Sequence, residues 1–188
     1  MAREAEDYTE ADDLEISPVQ TFDEHAMGCL IGALVGDSCG SMHQFAYKPL
    51  SEVELDFCFT MPGGGHYQLN PGQVTDDGEL MLCLMHALTV NFTPNLFDLD
   101  EIVRFYKKWA ETDPPYYEEL VEHTILKLKD GATLNAVKKF AREHKDLVTN
   151  SALQSIMPVA IWAADIDDFK KFEKIIITHT ELIQGNPL

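Results

Sequence analysis

Apolar residues recur at steps of three and four positions along most of the 188-residue chain. This spacing places them on one face of an α-helix, the pattern of a helix that packs on a core. No segment has the strict alternation of a half-buried β-strand. Predicted helices cover residues 22–36, 79–90, 100–111, 116–129, 133–144, 151–164 and 169–179. The pattern therefore predicts an all-α domain of about six to eight helices.

The first predicted helix begins with a capping box of Thr21 and Glu24, whose side chains can each bind a free backbone N–H group. We expect this helix to end near Gly36–Asp37. Glycines recur every four residues on one of its faces, at Gly28, Gly32 and Gly36. Because glycine has no side chain, the backbone of a neighbouring helix is expected to pack tightly against this face.

Residues 41–73 lack helical periodicity and contain aromatic residues, prolines and the triplet Gly63–Gly64–Gly65. We expect a long loop there, with at most a turn or two of helix. Segment 79–90 is apolar nearly all round, so it should be the most buried helix of the domain. Asn91–Pro94 should stop it.

Proline, glycine and aspartate residues predict where the later helices bend, begin and end. Pro114–Pro115 should end the helix before them, and Asp130–Gly131 should form a C-cap. A kink is expected at Pro158. Either Asp167 or Asp168 should cap the last helix.

The chain is strongly acidic, with a formal net charge of −18. Direct binding to naked nucleic acid needs clustered Lys and Arg, so this charge argues against it. Residues 1–21 contain seven acidic residues and one basic residue and have no apolar periodicity. We expect a disordered or partner-bound acidic tail over 1–21, followed by one domain over 22–188.

Neither a membrane span nor a disulfide framework is predicted. The apolar run Ala26–Gly36 is eleven residues long and contains three glycines, which is too short to cross a bilayer. The acidic N-terminus is unlike a signal or transit peptide. The four cysteines have no CxxC spacing, so buried free thiols and a cytoplasmic protein are expected.

The candidate chemistry lies in Thr75–Asp76–Asp77, where a Pro/Gly-containing loop meets the apolar helix. These side chains offer only oxygen donors, which suits magnesium, manganese or calcium rather than zinc or copper. The same cluster is also typical of an N-cap that binds the free N–H groups of the first turn. The two interpretations are compatible and both stay open.

Several short motifs follow one another in a fixed order, at Gly32–Gly40, Gly72–Glu79, Phe105–Ala110, Asp113–Pro115, Thr149–Leu153, Met157–Pro158 and Thr178–Thr180. In this order and spacing the chain resembles the ADP-ribosylglycohydrolase family, which includes the dinitrogenase-reductase-activating glycohydrolases. The resemblance covers about residues 22–188. It implies an orthogonal multi-helix bundle.

The resemblance also implies an activity: magnesium-dependent hydrolysis of an ADP-ribose N- or O-glycosidic bond on a protein or a related conjugate. Thr75, Asp76 and Asp77 would be ligands to a pair of magnesium ions, and Asp76 and Asp77 would be catalytic. Residues expected near the substrate are Asp37, Gln44, Asn150, Ser151 and His179. The expected partners are an ADP-ribosylated protein or an ADP-ribose-like small molecule. On the residues alone, His179 also fits a helix cap or a core histidine, and Asn150 fits a turn.

The chain departs from the family pattern at three positions. Gly78 stands where a Thr often follows the two acids. Gln44 replaces a Glu near the substrate, and an amide is neutral and cannot act as a base. Ser155 replaces an Arg.

Family domains continue past the Thr-His motif to an Asp-x-Asp-Thr cluster, which completes the metal site. The sequence reaches Leu188 without it, and Asp165–Asp167 comes too early to replace it. We therefore expect the C-terminal part of the family domain to be absent and another polypeptide to cover the faces left open. The predicted contact surface contains Phe169, Phe172, Ile176 and Met157. Two functional hypotheses remain: an active hydrolase, or a catalytically inactive member of the fold that serves as a structural or binding subunit.

Overall fold

The computed structural model describes residues 22–90, 96–147 and 149–186. This part of the chain is helical and contains no β-strand, only an isolated bridge between Gly64 and Leu69, so the all-α prediction is confirmed. The helices are α1 (Phe22–Ser41), α2 (Glu52–Cys58), α3 (Asp76–Val90), α4 (Leu99–Ala110), α5 (Glu119–His123), α6 (Leu134–Glu143), α7 (Ser151–Ser155), α8 (Met157–Trp162) and α9 (Phe169–Thr180), with a 3-10 turn at Leu126–Leu128. The acidic tail, the capping box at Thr21 and the stop at Asn91–Pro94 lie outside the described residues.

Helix α3 is the central element of the bundle. It packs against α1, α4, α7 and α8, most extensively against α4. Leu80 and Leu84 on α3 have no exposed surface, and α3 contributes more buried residues than any other described helix. An apolar helix of this kind is stabilised chiefly by the area that it removes from water. The prediction of a core helix at this position is confirmed.

Local capping residues set the ends of several helices, and those at Asp168 and Gly131 were predicted. Asp168 accepts hydrogen bonds from the backbone N–H groups of Lys170 and Lys171 and so caps α9. Thr133 caps α6 in the same way. Gly131 has φ +88°, the left-handed conformation that a glycine C-cap provides.

The predicted helix 116–129 is wrong in extent, because the chain forms only the short α5 followed by a 3-10 turn. Thr124 has φ −114° and ψ −85°, which breaks the helix. Its hydroxyl donates to the Leu120 carbonyl at 2.5 Å. A Thr side chain bonded to the backbone in this way competes with the regular helix ladder.

The break in helix 151–164 falls at Ile156, between α7 and α8, rather than at Pro158 itself. Proline has no N–H group and clashes with the carbonyl four residues earlier. The helical ladder is therefore interrupted on the N-terminal side of Pro158, and α8 restarts with the proline in its first turn.

Helix α1 differs from the prediction in two ways. It continues past Gly36 to Ser41, because Gly36 keeps the helical conformation. Moreover, a Cβ atom built at Gly28 or Gly32 would have no atom of the described residues within 4 Å, so no backbone in this part of the chain packs against the glycine face. Much of the apolar surface of α1 is exposed, at Phe22, Met27, Ile31 and Val35.

The loop between α1 and α3 contains the two turns of helix that the sequence allows. Ser51 and Glu54 form a capping box for α2. After α2 the backbone turns sharply through Gly63, Gly64 and Gly65, all with positive φ, and the Gly64–Leu69 bridge closes the turn. This segment brings Val74 and Thr75 to the start of α3. No helix among the described residues is both long and apolar enough to cross a membrane.

Candidate functional site

A cleft of about 410 Å³ lies between the C-terminal half of α1, the start of α3 and the α7–α8 region. Its volume falls in the range of small-molecule sites. The lining residues are Gly32, Ala33, Gly36, Asp37, Gly40, Ser41, Gln44, Thr75, Asp77, Gly78, Met81, Asn150, Gln154 and Met157. Glycines and small residues of α1 form one wall, and polar side chains from α3 and α7 form the other.

Asp37 on α1 caps the N-terminus of α3 from a different helix. Its carboxylate accepts hydrogen bonds from the Thr75 N–H group at 2.8 Å, the Thr75 hydroxyl at 2.7 Å and the Gly78 N–H group at 3.1 Å. The Thr75 hydroxyl in turn accepts from the Asp77 N–H group at 3.4 Å. Asp37 and Thr75 thus satisfy the N–H groups of Thr75, Asp77 and Gly78 at this helix terminus.

The same contact gives Gly78 a physical role. A Cβ atom at this position would lie 2.6 Å from the Asp37 carboxylate oxygen and 2.7 Å from the Val74 Cβ atom. Both distances are shorter than real side chains allow. The absence of a side chain at Gly78 thus lets Asp37 approach the helix terminus.

Asp76 is buried behind the cleft and contacts the segment that precedes α5. The Glu118 N–H group donates to the Asp76 carboxylate at 3.2 Å. The Ser151 hydroxyl donates to the Glu118 carboxylate at 2.5 Å. Burial raises the pKa of Asp76 to about 6; the hydrogen bond from Glu118 opposes this shift, whereas the negative charges of Glu118 and Asp37 reinforce it.

Asp77 reaches the cleft itself. Burial, followed by the negative charges of Asp76, Glu118 and Asp37, raises the pKa of Asp77 to about 7. The Gln154 amide is oriented so that both its nitrogen and its oxygen form hydrogen bonds. The nitrogen donates to the Asp77 carboxylate, and the oxygen accepts from Asn150 Nδ2 at 2.8 Å. The site is therefore a set of crowded, partly buried carboxylates beside a small amide network.

Tyr116 holds the loop before α3 in place. Its hydroxyl donates to the Val74 carbonyl at 2.8 Å and accepts from Gln73 Nε2 at 3.0 Å. The Tyr116 ring also lies 4.7 Å from the Tyr67 ring, with an angle of 31° between the planes. One aromatic side chain thus connects the loop after α4 to the two loop segments before Thr75.

The donor set fits a hard divalent cation in chemistry, because crowded carboxylates with raised pKa values favour either a proton or a cation. However, no group of three or more His, Cys, Asp or Glu side chains is placed to enclose a metal within residues 22–90, 96–147 and 149–186. Magnesium commonly binds through one or two carboxylates and keeps several waters. The residues present are therefore compatible with a partial magnesium site of that kind.

The structure brings most of the predicted site residues together. Asp37, Gln44, Thr75, Asp77 and Asn150 line the cleft, and Asp76 and Ser151 lie directly behind it. His179 is placed elsewhere: it has no exposed surface, and its Nε2 atom lies 2.8 Å from the Tyr106 hydroxyl in the core. It is not among the cleft-lining residues.

Sequence reasoning missed Glu118, Gln154, Tyr67 and Tyr116. Glu118 falls within the predicted helix 116–129, whereas in the structure it lies just before α5 and its backbone N–H group donates to Asp76. The local signal was Pro114–Pro115, which ends α4 and releases the next residues from helical periodicity. The contact between Glu118 and Asp76 spans 42 residues and has no local signature.

The geometry agrees with the comparison of the chain with known families. The sequence model of the family described as ADP-ribosylglycohydrolase matches residues 18–185. The chain belongs to the ADP-ribosylglycohydrolase family. The family membership that the sequence motifs predicted is therefore confirmed.

The alignments with individual relatives cover only part of this chain and part of each relative. The ADP-ribosyl-[dinitrogen reductase] glycohydrolase of Rhodospirillum rubrum is 32% identical over 91 residues, which cover 48% of this chain and 30% of that protein. The ADP-ribosylarginine hydrolase Tri1 of Serratia proteamaculans is 29% identical over 85 residues, covering 45% and 22%. Tri1 of Pseudomonas putida is 35% identical over 69 residues, covering 37% and 17%. The chain thus matches about a third or less of the length of each relative.

Proposed function

We propose that the cleft is the site of a magnesium-dependent hydrolase that cleaves an ADP-ribose N- or O-glycosidic bond on a protein or related conjugate. The observation that carries this proposal is the adjacent pair at the start of α3, in which Asp76 is buried and the partly buried Asp77 lines the cleft. The names of the relatives, which include an ADP-ribosylarginine hydrolase, support the substrate class.

The chain's own residues can supply much of this chemistry. Asp77 faces the cleft with a pKa raised to about 7, so its carboxylate can exchange a proton with water near neutral pH. Asn150 and Gln154 present amide groups to polar parts of a substrate. The glycine wall of α1 leaves room for a planar or phosphate-bearing group close to the backbone.

A magnesium ion, alone or as one of a pair, would be held by Thr75, Asp76 and Asp77. When bound, it would orient ribose hydroxyls and polarise water. Asp37 would act indirectly, since it fixes the Thr75 hydroxyl and the helix terminus.

The second candidate is a catalytically inactive member of the family that binds an ADP-ribose-like group. Gln44 favours it, because this cleft residue is a neutral amide where the family has a carboxylate. An amide can donate and accept hydrogen bonds to a substrate but cannot take up a proton. Binding without turnover would follow if Asp77 does not replace the missing base.

The experiment is a release assay with an ADP-ribosylarginine peptide, in magnesium and in EDTA, on the wild type, on Asp77→Asn and on Asp165→Asn. Asp165 is an exposed carboxylate outside the cleft and serves as the matched control. Magnesium-dependent release that Asp77→Asn removes and Asp165→Asn keeps supports the hydrolase. Saturable peptide binding without release supports the inactive binding module, and absence of both would contradict the proposed site.

We also propose that another polypeptide covers the apolar face of α1. Met27, Ile31 and Val35 lie at four-residue steps on this face, and each is more than 40% exposed. Contiguous apolar surface of this kind on a soluble protein commonly marks an interaction site. A cytoplasmic location belongs to the same proposal, since all four cysteines are unpaired and unpaired thiols are typical of reducing compartments.

A further inference from the structure

Three aromatic rings form an exposed cluster on the loop between α1 and α3. The Phe45 ring centroid lies 5.4 Å from that of His66 and 6.1 Å from that of Tyr67, both in edge-to-face geometry. His66 and Tyr67 lie 5.1 Å apart. Phe45 is 59% exposed, so much of its ring is available to a ligand.

The backbone holds these rings in place at some cost. Phe45 has φ 66° and Gln68 has φ 53°, in the left-handed region that non-glycine residues seldom adopt. The Gly64–Leu69 bridge closes the segment that carries His66 and Tyr67. The loop backbone therefore fixes the position of the cluster.

The cluster lies beside the carboxylates. Gln44, which precedes Phe45, lines the cleft. The Tyr67 ring contacts the Tyr116 ring at a tilt of 31°. Two residues after Tyr116, the backbone N–H group of Glu118 donates to the Asp76 carboxylate. In agreement, burial and then the charges of Asp76, Glu118 and Asp77 raise the pKa of Tyr67. The Tyr67 ring thus lies in the negative electrostatic field of these carboxylates.

Aromatic rings in such a field favour a cation. The face of a ring attracts Arg or Lys, and a planar guanidinium also stacks on it. Nearby carboxylates strengthen this attraction. A nucleobase attached to phosphates would stack on the same rings, but the carboxylates would repel its phosphate groups. The surroundings of the rings therefore favour the acceptor side of a substrate, meaning the side chain that carries the ADP-ribose, over its nucleotide side.

We propose that Phe45, His66 and Tyr67 form the subsite that binds the guanidinium group of an arginine-type acceptor next to the cleft. This inference rests on the proposed function, because it assigns the acceptor side of that same site. The role of Phe45 and Tyr67 is to recognise the leaving part of the substrate; the rings take no part in proton transfer.

The test is a ligand-observed NMR titration of the whole chain with N-acetyl-arginine amide, and separately with N-acetyl-citrulline amide. The citrulline probe has nearly the same shape but no positive charge. Both titrations are run in EDTA, and neither probe contains ADP-ribose. The result is therefore independent of magnesium binding and of hydrolysis, and it can fail or succeed separately from the proposed function.

The expected result is binding of the arginine probe in preference to the citrulline probe. Phe45→Leu keeps an apolar side chain but removes the ring, and it should weaken arginine binding by about two- to fivefold. Tyr67→Phe keeps the ring and should retain binding, whereas Tyr67→Leu should weaken it similarly. Phe169→Leu is the control, because Phe169 is 72% exposed on α9 and lies outside the cluster.

The inference is overturned by equal binding of the two probes, or by absence of arginine binding. It is also overturned if Phe45→Leu binds as the wild type does, or if Phe169→Leu weakens binding as much as Phe45→Leu. The net charge alone would attract any cation. None of these substitutions changes the charge, so a loss confined to Phe45 and Tyr67 identifies the rings.

Discussion

His179 illustrates at the scale of one residue how a family motif can serve the core. Its ring is fully buried, Nε2 bonds to the Tyr106 hydroxyl, and Nδ1 has no hydrogen-bond partner among the described residues. Burial lowers the pKa of His179 to about 4. The neutral imidazole is therefore the form that the folded protein holds.

A pH prediction follows for His179. The His179 imidazole has a pKa of about 6.5 in the unfolded chain. Below this pH the unfolded chain binds a proton at His179 and the folded chain does not, so the free energy of unfolding falls as pH drops from about 6.5 to 4. The loss is at most about 3 kcal/mol over this window, and there is none above it. Denaturant unfolding at several pH values should show this slope in the wild type and a shallower one in His179→Gln. Equal slopes in the two proteins would contradict the assignment.

Gly78 gives a second prediction at the residue scale. Gly78→Ala places a Cβ atom against the Asp37 carboxylate and Val74, so we expect a loss of about 1–3 kcal/mol of unfolding free energy. Gly28→Ala is the matched control, because Gly28 is also helical and no atom in the described part of the chain lies within 4 Å of its Cβ position. It should stabilise the protein by about 0.5–1 kcal/mol. Chemical denaturation measures both, and a stabilising Gly78→Ala would contradict the packing described here.

At the scale of elements, the sequence predicts what is determined locally. The start of α9 at Asp168 and the C-cap at Gly131 depend on residues within one turn, and both were foreseen. Thr75–Asp77 was likewise recognisable as a motif. The contact between Glu118 and Asp76, and the cap that Asp37 gives to α3, join segments about forty residues apart, and no periodicity encodes them. The sequence of α1 shows that the helix is apolar, but it does not show which face of the helix is buried by other elements.

Tyr116 tests how the loops support α3. Tyr116→Phe removes the donor to the Val74 carbonyl and the acceptor for Gln73, leaving partly buried polar groups unpaired. We expect a loss of about 1–3 kcal/mol of unfolding free energy. Tyr117→Phe, at the next position, is the control, because Tyr117 is 36% exposed and should be near neutral. Similar stabilities for the two variants in urea unfolding would show that this hydroxyl does not support the site.

At the scale of the whole molecule, exposed apolar surface is the feature that the sequence assigned least well. Prediction placed it at Phe169, Phe172, Ile176 and Met157. Phe169 is indeed exposed, but Met157 lines the cleft, and the larger exposed apolar surface lies on α1. The spacing of apolar residues identifies a helix face that packs against something. It does not show which segment packs there, because that depends on contacts between residues far apart in the sequence.

We therefore expect the purified chain to associate through α1. Sedimentation at micromolar concentration should show a species larger than the 21.2 kDa monomer. Ile31→Glu should restore the monomer, since a charge in an apolar contact is costly to bury. Ile177→Glu is the control, because Ile177 is 50% exposed on α9. A wild-type monomer, or equal effects of the two substitutions, would rule out self-association through this surface.

The most direct test of the central claim is thermal unfolding as a function of magnesium concentration. If Thr75, Asp76 and Asp77 hold the ion, magnesium at ten times its dissociation constant should stabilise the wild type by about 1.4 kcal/mol and raise Tm by about 3–6 °C. Asp165→Asn should show the same shift, and the double variant Asp76→Asn/Asp77→Asn should show none. A wild-type Tm that does not change up to millimolar magnesium, or a double variant that shifts as the wild type does, would contradict a magnesium site at the start of α3.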